Sequence, residues 1–320
     1  MNIQELKEKV IAGYELSYEE GVALTQVENK EALYQAADEI RLHFCGTKMD
    51  LCSITNAKSG KCPQDCKWCS QSGHYETGVE TYDLIAKEKV IAQVLESAAN
   101  GVNRHSLVTS GRKASDRTID NMIEIYDEIK EQSDIHLCAS MGLLEEKQLE
   151  KLRDTGIDHY HCNLETAPSY FPEVCTTHSM DEKIETIKSA QSLGLKVCSG
   201  GIIGMGENMN HRVELACTLR DLRIMSIPLN ILTQVDGTPL EKVSDLTEEE
   251  ILTTIAVFRF INPKANLRFA GGRLKIKDFQ DKALRAGINS ALTGDYLTTI
   301  GSNTAEDIRD FKAAGFDIGK

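Results

Sequence analysis

An α/β fold, a (β/α)8 barrel of the TIM type behind an N-terminal helical extension, is what the sequence predicts. Three observations point to it: eight short β-rich runs alternate with amphipathic helical runs, glycines stand between helices and the strands that follow, and no linker-like tract divides the 320 residues. Residues 1–44 read as helices at Ile3–Ala12, Tyr18–Leu24 and Lys30–Arg41, from apolar residues at helical spacing. The strands follow at Asp50–Ile54, Arg104–Thr109, Ile135–Ala139, Asp158–Leu164, Lys196–Ile203, Ile227–Leu232, Asn266–Phe269 and Asn289–Leu292. Between them lie helical patterns at Lys87–Asn100, Thr118–Glu131, Glu145–Thr155, Met180–Leu193, His211–Leu222, Thr247–Ile261 and Asp278–Ala286. Gly101, Gly156, Gly194 and Gly287 each end a helical run, where C-caps belong. The expected layout is one domain over 1–320, with the barrel at 45–300 and a C-terminal helix at 301–320. An open, doubly wound sheet built from the same alternation stays as the alternative.

Composition is that of a globular protein, 41% hydrophobic and 27% charged. No run reaches the ~18 apolar residues of a membrane span, and the charged, helical N-terminus is unlike a signal peptide. The expected location is cytoplasmic, with no membrane partner. A net charge of -13 and the lack of a basic cluster argue against nucleic acid as partner. Ten cysteines in a reducing compartment read as metal ligands or small buried hydrophobes rather than disulfides.

Cys62-Pro-Gln-Asp-Cys66-Lys-Trp-Cys69 is the strongest chemical signal. Three thiolates so closely spaced converge on one metal centre from a single loop just after the first strand. A four-iron cubane held by three thiolates keeps one iron open, as a catalytic site requires. A zinc knuckle is the alternative, with His74 as nearest fourth ligand, although structural zinc loops usually come as paired CxxC units. An electron-carrying ferredoxin needs four ligands per cluster.

A CxxxCxxC run after the first strand of a barrel, with Trp68 before its last cysteine, resembles the radical S-adenosylmethionine (SAM) enzymes. That resemblance implies a 4Fe–4S cluster whose open iron chelates SAM. Reductive cleavage of SAM then yields methionine and a 5′-deoxyadenosyl radical that abstracts hydrogen from unactivated C–H bonds. Within the superfamily the chain resembles the biotin synthases, which insert sulfur into dethiobiotin. The blocks that carry this are Asn56 to Cys62 through Ser70-Gln-Ser72, Val197 to Gly201, Gly204 to Glu207, Ile227 to Asn230, Asp236 to Pro239, Ala270 to Arg273 and Gly294 to Thr298. They run in order from about residue 45 onward.

By this resemblance Cys62, Cys66 and Cys69 hold the SAM cluster, Asn163 and Glu165 bind the SAM ribose, and Asn230 hydrogen-bonds the ureido ring of dethiobiotin. An amide both donates and accepts, which suits that ring. Cys138 and Cys198 match two cysteines of the family's auxiliary, sulfur-donating 2Fe–2S cluster, and Arg268 matches its arginine ligand. The resemblance further implies a homodimer and a reductant such as flavodoxin or ferredoxin.

The chain departs from the family at four places. Glu165 stands where Asp is common, and Lys183 stands where an arginine is usual after the Thr176-Thr177 pair. Ser106 replaces the third auxiliary cysteine, and His161-Cys162-Asn163 replaces Asn-His-Asn on strand four. Cys138, Cys162 and Cys198 therefore end three successive strands. Together they are expected to hold an auxiliary cluster of the four-iron type rather than 2Fe–2S, with Arg268 as ligand or as charge and hydrogen-bond partner. The alternative is that Cys162 is a packed core thiol. Cys217 reads as core, Cys175 lies in a loop, and Cys45 and Cys52 lie close to the first strand, where Cys52 is able to face the interior. His74 and His105 read as polar wall residues. Two competing functions remain: a related enzyme of the hydrogenase-maturation or methylornithine-forming kind, and a non-catalytic iron–sulfur carrier, which SAM turnover separates from any enzyme.

Overall fold

In the computed structural model, which describes residues 1–295, 297–298 and 301–318, the β-rich runs form parallel strands closed into a barrel. They are β1 (Asp50–Lys58), β2 (Arg104–Thr109), β3 (His136–Ser140), β4 (His159–His161), β5 (Lys196–Cys198), β6 (Gly201–Ile203), β7 (Ser226–Ile231), β8 (Asn266–Phe269) and β9 (Ser290–Leu292). Consecutive strands other than β5 and β6 pair in parallel, and β1 against β9 closes one side, with Asp50 opposite Ser290. On the other side Cys198 of β5 lies opposite Ser226 of β7. The run Lys196–Ile203, expected as one strand, is split into β5 and β6, so nine segments make eight staves. The open-sheet alternative is excluded by this closure.

The split has a steric cause. A Cβ on Gly200 would stand 2.0 Å from the Pro228 carbonyl oxygen, and one on Gly201 2.5 Å from that of Glu165. Only glycine lets the exits of β4 and β7 come this close to the fifth stave.

The helices are α1 (Ile3–Ile11), α2 (Tyr18–Thr25), α3 (Lys30–Cys45), α4 (Lys87–Ala99), α5 (Asp116–Gln132), α6 (Glu146–Asp154), α7 (Phe171–Val174), α8 (Met180–Ser192), α9 (Met209–Asp221), α10 (Glu248–Ile261), α11 (Gln280–Arg285) and α12 (Thr304–Ala313). Capping boxes at Ser17/Glu20, Ser179/Glu182 and Thr247/Glu250 start α2, α8 and α10 by satisfying orphan backbone donors at each end. Gly101, Gly156, Gly194 and Gly287 all carry positive φ, as the capping role requires. α10 is buried from Ile251 to Ile261 because α2, α3 and α9 pack against it, so the N-terminal extension covers an apolar helix of the barrel. The Tyr34 hydroxyl on α3 lies 3.2 Å from Thr253 Oγ1 on α10 and ties the two together.

Two departures from the sequence pattern bear on the site. α7 is a single turn in the long β4–α8 connection, and the run expected as Asp278–Ala286 is a 3-10 segment (Arg273–Phe279) followed by a shorter α11. Tyr296 of the Gly294–Thr298 block, and Gly319 and Lys320 of the C-terminal span, lie outside the described residues.

Candidate active site

Side chains on a strand alternate between faces, and the barrel interior follows this period strictly. Cys52 and Ile54 of β1 face it, as do Arg104, Ser106 and Val108 of β2, and Cys138 and Ser140 of β3. His159, His161 and Asn163 follow from β4 and its exit, then Cys198, Ser226, Pro228, Asn230, Arg268 and Ala270. The cavity they line is about 250 Å³, of small-molecule size rather than peptide size.

A second cavity lies beneath the loop that follows β1. Cys62, Cys66 and Cys69 line it together with Trp68, Cys162, Asn163, Glu165, His178 and Lys183. The loop folds back on itself: Cys62 N–H donates to the Gln71 carbonyl (3.0 Å), Gly73 N–H to that of Cys62 (2.7 Å), and Cys69 N–H to that of Cys66 (3.0 Å). All three cysteines are thereby held on one short, cross-braced segment. Ser140, His161, Asn163 and Leu297 belong to the walls of both cavities, so the two adjoin at the mouth of the barrel. In a barrel that mouth, at the strand C-termini, is where chemistry gathers.

Asn163 is oriented by its neighbours. Its Oδ1 accepts from Gly200 N–H (3.0 Å), and its Nδ2 donates to Glu165 Oε2 (3.4 Å). Glu165 has φ +73°, unusual for a residue with a side chain, and is pinned there by backbone bonds to Gly200 and Ile202. Asn230 accepts from Gly271 N–H (2.8 Å) and donates to the Gly201 carbonyl (3.0 Å). One N–H and one lone pair remain for a ligand.

At the other end of the interior, Asp50 accepts from both Arg268 (2.6 Å) and Arg104 (2.9 Å). Arg268 also donates to Ser290 Oγ (2.8 Å), Ser226 Oγ (3.0 Å) and Cys198 Sγ (3.5 Å). Burial alone would push the Cys198 thiol up, but His161, Arg268 and Ser226 outweigh it and bring the group down to about 6. Cys52 is pushed up to about 11, by burial first, and burial raises Cys138 well above the usual thiol range.

The structure corrects one expectation. Cys162 does not join Cys138 and Cys198. It falls between His161 and Asn163, which face the interior, so its own side chain faces the other way. There it packs into the main hydrophobic core beside the second cavity, with Lys183 and Glu165 as its charged neighbours. Cys52 stands with Cys138 and Cys198 instead. The pleat period was the signal that separates the two: adjacent residues on one strand cannot both point inward.

The remaining candidates are placed as follows. His105 is a satisfied core histidine between Thr55 Oγ1 (2.9 Å) and Ser97 Oγ (3.0 Å), drawn down to about 4 by burial. His74 is exposed and bonded to the Pro63 carbonyl (3.1 Å), while the ligand-type group found near the loop is Cys66, Cys175 and His178. Cys175 Sγ lies 3.7 Å from Cys66 Sγ and 3.2 Å from His178 Nδ1. The hydrogen bond from Cys66, with help from His178, draws Cys175 down to about 4, and the same bond pushes the Cys66 thiol up. His178 lies only three residues from Cys175, but Cys66 and Asp65 come from a segment over a hundred residues away, so the sequence alone does not show the group.

Comparisons with known proteins agree with this geometry. Residues 57–219 match the family model "Radical SAM superfamily", and residues 228–317 match "Biotin and Thiamin Synthesis associated domain". The chain is 49% identical over 319 residues to a biotin synthase of Parabacteroides distasonis, covering 99% of this chain and 98% of that one. It is 50% identical over 317 residues to a biotin synthase of Porphyromonas gingivalis, covering 99% and 96%. Among solved structures, methylornithine synthase superposes with a TM-score of 0.83 at 22% identity, covering 98% of this chain and 97% of that one. The FeFe-hydrogenase maturase HydG from Carboxydothermus hydrogenoformans gives 0.81 at 16% identity, covering 98% and 78%. At these identities the two structures speak for the barrel alone.

Proposed function

The chain belongs to the biotin synthase family of radical SAM sulfurtransferases, and from that premise we propose how its own residues divide the conversion of dethiobiotin to biotin. Cys62, Cys66 and Cys69 hold the 4Fe–4S cluster, Asn163 and Glu165 hold the SAM ribose, and Asn230 holds the ureido ring of dethiobiotin. Cys138 and Cys198, with Arg268 beside them, belong to an auxiliary iron–sulfur site. When bound, the cluster and SAM supply hydrogen abstraction from unactivated C–H bonds, and the auxiliary site supplies the sulfur.

One observation carries the reading: two cavities, one under the cysteine loop and one inside the barrel, share the wall of Ser140, His161, Asn163 and Leu297. A substrate held by Asn230 in the inner cavity then lies between the SAM site and the thiols of the interior. The donor set fits the groups. The thiols line the cavity wall, and Ser106 Oγ and Arg104 Nε are buried there without hydrogen-bond partners. Arg268 spends its donors on Asp50, Ser226, Ser290 and Cys198, which supports a charge and hydrogen-bond role rather than ligation. With Cys162 outside the interior, a cluster of the four-iron type needs another thiolate beside Cys138 and Cys198, and Cys52 is the third cysteine on that wall.

The reading extends to a single domain over 1–320, a homodimer, a flavodoxin or ferredoxin reductant, and a cytoplasmic location. Among the described residues no helix is long and apolar enough to cross a membrane. The decisive experiment is an anaerobic assay with dethiobiotin, SAM and reductant. Biotin formation supports the reading, and SAM turnover that leaves dethiobiotin unconsumed overturns it.

Asn230 gives a graded test. Losing a hydrogen bond to a buried neutral ligand typically costs about 1–3 kcal/mol, so Asn230→Ala weakens dethiobiotin binding roughly ten- to a hundredfold. Because Asn230 also braces Gly201 and Gly271, melting temperature falls slightly as well. Unchanged dethiobiotin affinity in calorimetry, with SAM binding intact, would assign the residue to the fold alone.

A further inference from the structure

We propose that Cys52, on the first strand, is the third protein thiolate of the auxiliary iron–sulfur site, taking the part that Ser106 cannot play. The inference rests on the reading above that the chain builds such a site.

The cysteines divide sharply by packing. Cys162, Cys175 and Cys217 belong to the main hydrophobic core, whereas Cys52, Cys138 and Cys198 do not. All three of the latter line the inner cavity. Cys52 packs in a small apolar group with Ile54, Ala270 and Leu292 on the cavity wall, its sulfur 3.5 Å from the Ser53 carbonyl, so it lies outside the main core that holds Cys162.

Register explains how one residue stands in for the other. β1 and β2 are adjacent, with Cys52 opposite Arg104 and Ile54 opposite Ser106. Ser106 in turn lies opposite Cys138 on β3. Cys52 and Ser106 are therefore inward-facing positions one strand apart and one pleat period apart in height, roughly 7 Å along the strand. A thiolate moved from the second strand to the first still enters the same cavity. The serine left behind has a hydroxyl with no hydrogen-bond partner, which marks a place where something else was meant to sit.

Charge points the same way. Arg104 and Arg268 share the one carboxylate of Asp50, leaving a positive excess at a buried position. Such an excess is costly unless anions face it, and three thiolates around an iron–sulfur core supply them. Cys198 is already in contact with Arg268.

The test separates this ligand assignment from the auxiliary site as a whole. In full-length protein carrying Cys62→Ser, Cys66→Ser and Cys69→Ser together, anaerobic reconstitution leaves iron only at the auxiliary site, read by iron analysis and Mössbauer spectroscopy. Adding Cys52→Ser removes most of that iron, and adding Cys162→Ser leaves it in place. Exchanging the two residues, Cys52→Ser with Ser106→Cys, restores iron and shows that the loss was not misfolding. Retention of the full auxiliary signal in the Cys52→Ser protein overturns the proposal. If the protein with the loop cysteines replaced holds no iron while Cys52 is intact, the auxiliary site itself is wrong, and the proposal falls with it.

Discussion

Cys66→Ser is expected to abolish the release of 5′-deoxyadenosine from SAM in the reconstituted, reduced protein. On the proposed assignment the cubane keeps three protein thiolates only while Cys62, Cys66 and Cys69 are all present, and a neutral serine is a poor iron ligand. The expected signature is loss of the loop-bound cluster and of SAM cleavage with no change in the barrel fold by circular dichroism. Cys175 complicates the test in an informative way. Its sulfur lies 3.7 Å from that of Cys66 and 3.2 Å from His178 Nδ1, so a second thiol with an imidazole beside it stands next to the vacated position. The Cys66→Ser/Cys175→Ser double variant is therefore measured alongside. Turnover that survives the single change and disappears in the double one would show that Cys175 takes over the iron. Wild-type cleavage in both proteins would remove Cys66 from the cluster altogether.

Most of the barrel was legible because two periods, 2 and 3.6, alternate along the chain with little noise, and because glycines mark the helix ends. What was not legible depends on residues far apart in sequence. The Lys196–Ile203 run reads as one strand, and only the approach of Pro228 and Glu165 to Gly200 and Gly201 shows why it must break. Asp50, Arg104 and Arg268 come from β1, β2 and β8, and no local pattern announces that two guanidinium groups share one carboxylate. Cys162 is a different kind of miss. With Asn163 placed inward, the pleat already sends its predecessor outward, so the sequence held the correction. Cys52 was within reach by the same rule, two residues from Ile54 on an alternating strand, but its neighbours β2 and β9 had to be in place before its role could be seen.

Glu207→Ala is expected to lose about 3–5 kcal/mol of folding stability, the usual cost of breaking a buried ion pair by removing one partner. The Gly204-Met-Gly-Glu207 block reads from sequence as an ordinary turn after a strand, and the structure shows what its carboxylate does. Glu207 accepts from Gly204 N–H (2.8 Å) and Met205 N–H (2.7 Å), and it pairs with Arg212 Nε (2.8 Å). The two side chains are 2% and 3% exposed, so water cannot replace either partner. Alanine leaves two backbone donors without an acceptor and takes the paired carboxylate from Arg212, leaving it hydrogen bonds to Thr254 Oγ1 and the Met209 sulfur and the more distant charge of Glu250. Arg212→Leu alone is also destabilising, because it strands the carboxylate. The double variant Glu207→Ala/Arg212→Leu should lose clearly less than the sum of the single changes, since neither charge is then left unpaired. Urea denaturation of the four proteins gives the cycle directly. Single-variant losses below about 1 kcal/mol, or strictly additive ones, would mean that the turn after β6 is held by its backbone and that the ion pair contributes little.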